Sequence, residues 1–124
     1  MRLLLDSHIA LWWDSDLRRL SEAQRVAIGD RENEVFVSAA SEWELSIKKA
    51  SGKLILVDSL QTLCRRFGFI ELPITLNHGQ RAAALPMIHK DPFDRMLVAQ
   101  AIAEDLVFAT VDGRVAEYGI QLLL

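Results

Sequence analysis

Short apolar blocks alternate with stretches of helical periodicity along this chain. Leu3-Leu4-Leu5 is an unbroken apolar run that ends at Asp6, and its length predicts a buried strand. A short helix over Ser7 to Trp13 follows. Ser21 and Gln24 stand in capping-box spacing at the head of a helix running to about Glu32. Val35-Phe36-Val37 is a second, β-branched strand. Helices are expected from Ser41 to Ala50, closed by Gly52, and from Asp58 to Phe67, closed by Gly68. Phe69 to Leu72 is a third strand, stopped by Pro73, and Leu76 to Leu85 is helical. Pro92 to Asp105 carries the clearest helix, Leu106 to Thr110 a strand, Asp112-Gly113 a turn, and Ile120 to Leu124 a last strand.

Strands alternating with helices in this way predict an α/β fold whose parallel sheet is covered on both faces. In such sheets ligands sit beyond the carboxyl ends of the strands. The 124 residues are expected to form a single domain, with no internal repeat, linker or low-complexity segment. No apolar run approaches a membrane span, and the apolar stretch before Asp6 is too short for a signal-peptide core, so a soluble chain without a leader is expected. A lone cysteine, Cys64, rules out an intramolecular disulfide or a cysteine-based zinc site. A reducing, cytoplasmic setting fits that usage. The formal net charge of −3 argues against nucleic-acid binding by bulk electrostatics. It leaves room for an enzyme that meets RNA through a bound cation.

The candidate chemistry lies in four acids. Asp6 follows the first strand and Asp112 lies just past the strand Leu106 to Thr110, so a parallel sheet puts both at one edge. Each is read equally well as a helix cap or turn residue. Glu44, three residues after Ser41, is read alone as the glutamate of a capping box, with Lys48 one turn on and Glu42 as a competitor. Trp43, Ile47 and Ala50 share helical spacing and are expected to face the core. Asp94 is harder to explain by capping. Asp91 and Pro92 open its helix, but Asp94, Leu97, Val98 and Ala101 share one face, and a carboxylate on an apolar stripe costs free energy unless paired or holding a cation. Arg95 is a possible partner. Four carboxylates converging on one cleft would repel one another, and a divalent cation removes the conflict. Oxygen-only ligands suit magnesium or manganese, which suggests metal-assisted hydrolysis of a phosphodiester.

With these residues in view, the chain resembles the PIN-domain ribonucleases, and among them the VapC-type toxins of bacterial toxin–antitoxin pairs. The resemblance covers essentially the whole chain. It rests on Leu3 to His8 with Leu11-Trp12-Trp13, on Val37 to Glu44 with Ile47-Lys48 and Gly52-Lys53-Leu54, and on Leu72-Pro73-Ile74, His78, Leu85-Pro86 and His89. Its most specific block is Asp91-Pro92-Phe93-Asp94-Arg95-Met96-Leu97 with Ala99-Gln100-Ala101, and Thr110-Val111-Asp112 closes it. Glu42 departs from the apolar or small residue expected there. The resemblance implies a three-layer α/β/α domain with a short parallel sheet. It implies that Asp6, Glu44, Asp94 and Asp112 bind magnesium or manganese, with Ser7 and Thr110 as supporting hydroxyls. It further implies endonucleolytic cleavage of RNA, a cognate antitoxin and a second copy of the chain as partners, and no membrane.

His8, His78 and His89 are scattered and are read as structural or surface histidines. Trp12 and Trp13 are expected mostly in the core, with one of them available to a protein partner. Lys48, Lys49, Lys53, Arg65 and Arg66 are read as a solvated face, and Cys64 as a small buried hydrophobe. Two other functions compete. A catalytically silent domain of the same fold would be free to lose its acids, and they are intact. A phosphoryl-transfer domain of the haloacid-phosphatase or receiver type fits poorly, because the first needs an aspartate where His8 stands and the second a lysine after Lys90.

Overall fold

The computed structural model describes residues 1–55 and 58–124. β1 (Arg2–Leu5) is followed by α1 (Ser7–Ser15), a 3-10 turn at Leu17–Arg19 and α2 (Glu22–Gly29). Then come β2 (Glu34–Ser38), α3 (Ala39–Ala50), α4 (Leu60–Phe67), β3 (Ile70–Leu72) and α5 (Leu76–Ala84). The chain ends with α6 (Pro92–Glu104), β4 (Val107–Ala109), a 3-10 helix at Gly113–Tyr118 and β5 (Leu122–Leu123). The five strands form one sheet in the order β3-β2-β1-β4-β5, and every neighbouring pair is parallel.

The alternation of side chains along a strand builds the three layers. Leu3 and Leu5 of β1, with Val35 and Val37 of β2, point into one apolar layer together with Ile9 and Ala10 of α1, Ala27 and Ile28 of α2, and Leu63 and Cys64 of α4. Leu4, Phe36 and Phe108 point the other way, into a layer with Leu97, Val98 and Ala101 of α6. β1 is therefore buried on both faces, which is why it reads as an unbroken leucine run. The edge strands β3 and β5 are short, as exposed edges usually are.

Local signals set most element ends. The Ser21–Gln24 capping box opens α2 as expected. Gly68 closes α4 in the left-handed conformation at φ 73°, where a side chain would be strained. The start of α3 differs from expectation. Ser38 caps it by accepting from the Ala40 amide at 3.0 Å, so the helix begins at Ala39 and not at Ser41. Glu44 thereby falls in the second turn and is not part of a capping box. The predicted inward face of α3 is also corrected. Trp43 is 62% exposed and Ile47 and Ala50 are exposed, while Ala40, Ser41, Glu44 and Leu45 are buried.

The chain leaves β1 toward β2 and β3 on one side, and later returns to β4 and β5 on the other. The sheet order therefore reverses between β1 and β4. Parallel sheets open a crevice at such a point, beyond their carboxyl ends.

Candidate active site

Asp6 is the first residue past β1 and stands beside the end of β4, its amide donating to Ala109 O at 2.9 Å. It occupies the cap position of α1, but its carboxylate makes no capping bond. Asp6 Oδ2 instead accepts from Thr110 Oγ1 at 2.8 Å. The same Thr110 oxygen accepts from the Asp112 amide at 3.1 Å. One buried hydroxyl thus ties two strand-end acids to each other. Gln24 fixes the same corner from α2, its side-chain amide donating to the carbonyls of Thr110 and Leu123, each at 3.0 Å.

Ser7 does the corresponding work on the other side. It is fully buried, and its Oγ lies 2.8 Å from Glu44 Oε1 and 3.0 Å from Ser41 Oγ. The second oxygen of Glu44 is 3.3 Å from Lys48 Nζ, the expected pair one turn on. Glu42 points elsewhere: its Oε2 accepts from the Leu60 amide at 3.1 Å at the head of α4. The geometry therefore separates the two glutamates, with Glu44 in the cleft and Glu42 holding a helix end.

Asp94 sits in the first turn of α6. Asp91 Oδ1 caps that turn, accepting from the amides of Phe93 and Asp94 at 2.8 and 3.1 Å. Asp94's own carboxylate has no hydrogen bond or ion pair with the described residues. Burial, first, and then the negative charges of Asp91, Asp6, Glu44 and Asp112 push its carboxyl up to about 7. Asp94 is thus the acid at which the fields of the other three meet. Asp6 is also shifted upward, mainly by burial, with Glu44 adding to the shift while Thr110 and His8 oppose it.

Asp112 differs. Its Oδ1 accepts from the Arg114 amide and from Arg114 Nε, both at 3.0 Å, and its Oδ2 from Arg114 Nη2 at 3.0 Å. The guanidinium holds this carboxyl below the usual aspartate range. Arg95, the neighbour that the sequence offers as a partner for Asp94, turns away from it. Its buried guanidinium donates to the carbonyls of Ala82, Leu85, Pro86 and His89, at 2.8 to 3.2 Å, and so organises the segment ahead of α6.

Among the described residues, no group of three or more His, Cys, Asp or Glu side chains is gathered closely enough to hold a metal ion as it stands. The acids stand near enough to raise one another's proton affinity, and two of them rest on cations of their own chain. His8 is exposed, and His78 is spent on Thr75 and Glu104. His89, read from the sequence as a structural or surface histidine, is the one that reaches the cleft. It is buried with Nε2 3.4 Å from Asp112 Oδ2. Its position two residues before Asp91, at the cleft end of α6, was the available signal.

A PIN-domain family profile matches residues 3–121. The chain belongs to the PIN-domain family. Ribonuclease VapC22 of Mycobacterium tuberculosis is 34% identical, over 94% of this chain and 91% of that protein. The fold resembles the solved structure of VapBC2 from Rickettsia felis bound to a DNA fragment from their promoter, at a TM-score of 0.67 and 12% identity, covering 99% of this chain and 98% of that one. It also resembles FitAcB from Neisseria gonorrhoeae, at 0.63 and 18% identity, covering 98% and 96%.

Proposed function

We propose that this chain is a divalent-metal-dependent endoribonuclease acting as the toxin of a toxin–antitoxin pair, with Asp6, Glu44, Asp94 and Asp112 as its metal-binding and catalytic acids. The observation that carries the reading is the state of Asp94: an unpartnered carboxylate pushed up to about 7 by burial and by the charges of its neighbours. Such a cluster is relieved by a cation. The four acids offer oxygen donors, which fit magnesium or manganese. A bound ion of this kind supplies a water of lowered pKa and charge stabilisation at a phosphoryl oxygen. The chain's own residues prepare the place: Thr110 holds Asp6, Ser7 holds Glu44, and Lys48 and Arg114 neutralise Glu44 and Asp112. The relative named a ribonuclease, aligned over nearly the whole chain, supports RNA as substrate.

A solved toxin–antitoxin complex from Klebsiella pneumoniae, of the same fold at a TM-score of 0.64, supports a cognate antitoxin as partner. An antitoxin segment that presents an arginine to the cleft would engage Asp94 as Arg114 engages Asp112. A second copy of the chain is the other expected partner, and exposed Trp43 and Ile47 offer it apolar surface. A toxin that cuts cellular RNA would act in the cytoplasm; among the described residues no helix is long and apolar enough to cross a membrane. The test is RNA cleavage by purified protein freed of antitoxin. Cleavage should stop in EDTA and return with Mg2+ or Mn2+. Full cleavage in EDTA would remove the metal mechanism, and RNA binding without cleavage under any ion would leave a silent binding domain.

A further inference from the structure

We propose that His89 is a positioning residue of this cleft, whose Nε2 orients the Asp112 carboxylate toward a divalent cation. The inference rests on the reading of the cleft as a cation site. His89 is only 8% exposed, and its Nε2 has no hydrogen-bond partner among the described residues. That nitrogen lies 3.4 Å from Asp112 Oδ2. Buried polar groups are nearly always satisfied, so an unspent one calls for a reason. His78 shows what a purely structural histidine does here: Nδ1 accepts from the Thr75 amide at 3.0 Å and Nε2 lies 2.8 Å from Glu104 Oε1.

The imidazole of His89 is held in place from several directions. It stacks on Tyr118 with ring centroids 6.3 Å apart and planes 24° from parallel. Its amide donates to the Tyr118 hydroxyl at 2.9 Å, and that hydroxyl donates to Pro86 O at 3.1 Å. Its carbonyl accepts from buried Arg95 at 3.2 Å. The two cationic or donor groups at Asp112 are therefore unlike. Arg114 is an exposed side chain that rests on the carboxylate from outside, while His89 is fixed from inside. When the charge of a cation replaces that of the guanidinium, the imidazole is the group that still holds Asp112. Ligating carboxylates are commonly aimed by a hydrogen bond from a neighbouring side chain, the role we assign to Nε2 once a cation is bound, and its loss costs about ten- to a hundredfold in metal affinity.

The experiment measures Mn2+ affinity of the whole protein without RNA, from the paramagnetic signal of free Mn2+, together with the metal-free melting temperature. His89→Phe keeps the stack on Tyr118 and removes the nitrogen. It should melt like the wild type and bind Mn2+ about ten- to a hundredfold more weakly. His89→Gln, whose amide nitrogen reaches as far as Nε2, should recover most of the loss, and His89→Asn, which is shorter, should not. A folded His89→Phe protein with wild-type Mn2+ affinity overturns the proposal. So does equal affinity of the Gln and Asn variants, which carries the test should the Phe variant fail to fold. A wild-type protein that binds no Mn2+ overturns the cation reading of the cleft itself, a separate result.

Discussion

The cleft has two kinds of acid. Glu44 and Asp112 each rest on a cation of the same chain, Lys48 at 3.3 Å and Arg114 at 3.0 Å. Asp6 and Asp94 have none; Asp6 is satisfied by a neutral hydroxyl, and Asp94 has no side-chain partner among the described residues. The electrostatics follow the division. Asp112 is held below the ordinary range, while Asp6 and Asp94 are pushed above it. The folded chain has paired the flanks of its acid cluster with cations and left the centre without a direct ion pair among the described residues. An external positive charge, such as the metal ion or antitoxin arginine proposed above, would gain most at the centre.

The strongest way to break this comparison is to remove the uncompensated charge. Asp94→Asn keeps size and shape but loses the charge that would hold a cation. RNA cleavage by the purified, folded variant should fall by about a thousandfold or more. A near-normal rate would leave Asp94 as no more than a first-turn acid favoured by the positive end of its helix.

A pH titration of metal-free stability sharpens the same contrast. Asp94 has a folded-state pKa of about 7 against an ordinary 3.8, so between these values the folded protein holds a proton that the unfolded chain releases. This stabilising contribution is complete at low pH and is lost as pH rises from about 4 to about 7. Asp94→Asn should remove that decline, seen as a flatter dependence of melting temperature on pH. Saturating Mg2+ or Mn2+ should offset it in the wild type. Asp112, shifted the other way, contributes stability above its unfolded pKa that is lost on acidification.

Smaller effects separate the hydroxyls from the surface cations. Thr110→Val strips Asp6 of its buried donor and should cost about 1–3 kcal/mol in urea unfolding. Ser7→Ala should cost a similar amount at Glu44. Lys48→Ala removes the half-exposed lysine one helical turn from buried Glu44 and should cost less, about 0.2–1 kcal/mol, screened further by salt. A Lys48→Ala cost as large as that of the two hydroxyl variants would show that surface cations and buried hydroxyls hold the acids alike.

What the sequence made legible follows from packing. β1 and β2, buried on both faces or between layers, announce themselves as apolar runs, and the caps at Ser21 and Asp91 form as written. The acids at the sheet edge were found because strand ends are recognisable in sequence. α3 was misread because its buried face carries Ser41 and Glu44 and its exposed face carries Trp43 and Ile47. A helix that lines a polar cleft inverts the usual amphipathic rule, so hydrophobic spacing selects the wrong side. His89 escaped because its role depends on contacts from Tyr118, Arg95 and Asp112, far apart in sequence. Ser7 and Thr110 were seen only as supporting hydroxyls, since nothing local tells which acid each will hold.

The inverted face of α3 also gives the protein an optical probe. Trp43 is exposed and packs edge-on against Phe93, with ring centroids 5.1 Å apart. Trp43 directly precedes Glu44 in the chain, and Phe93 directly precedes Asp94. An indole in this place senses both the water around it and the charge on two neighbouring carboxylates. Its emission should shift when an ion settles among the acids, and Trp43→Phe should abolish the shift while the signals of half-buried Trp12 and Trp13 persist. Occupancy of the cleft can then be followed in real time on the unlabelled protein, with no RNA present.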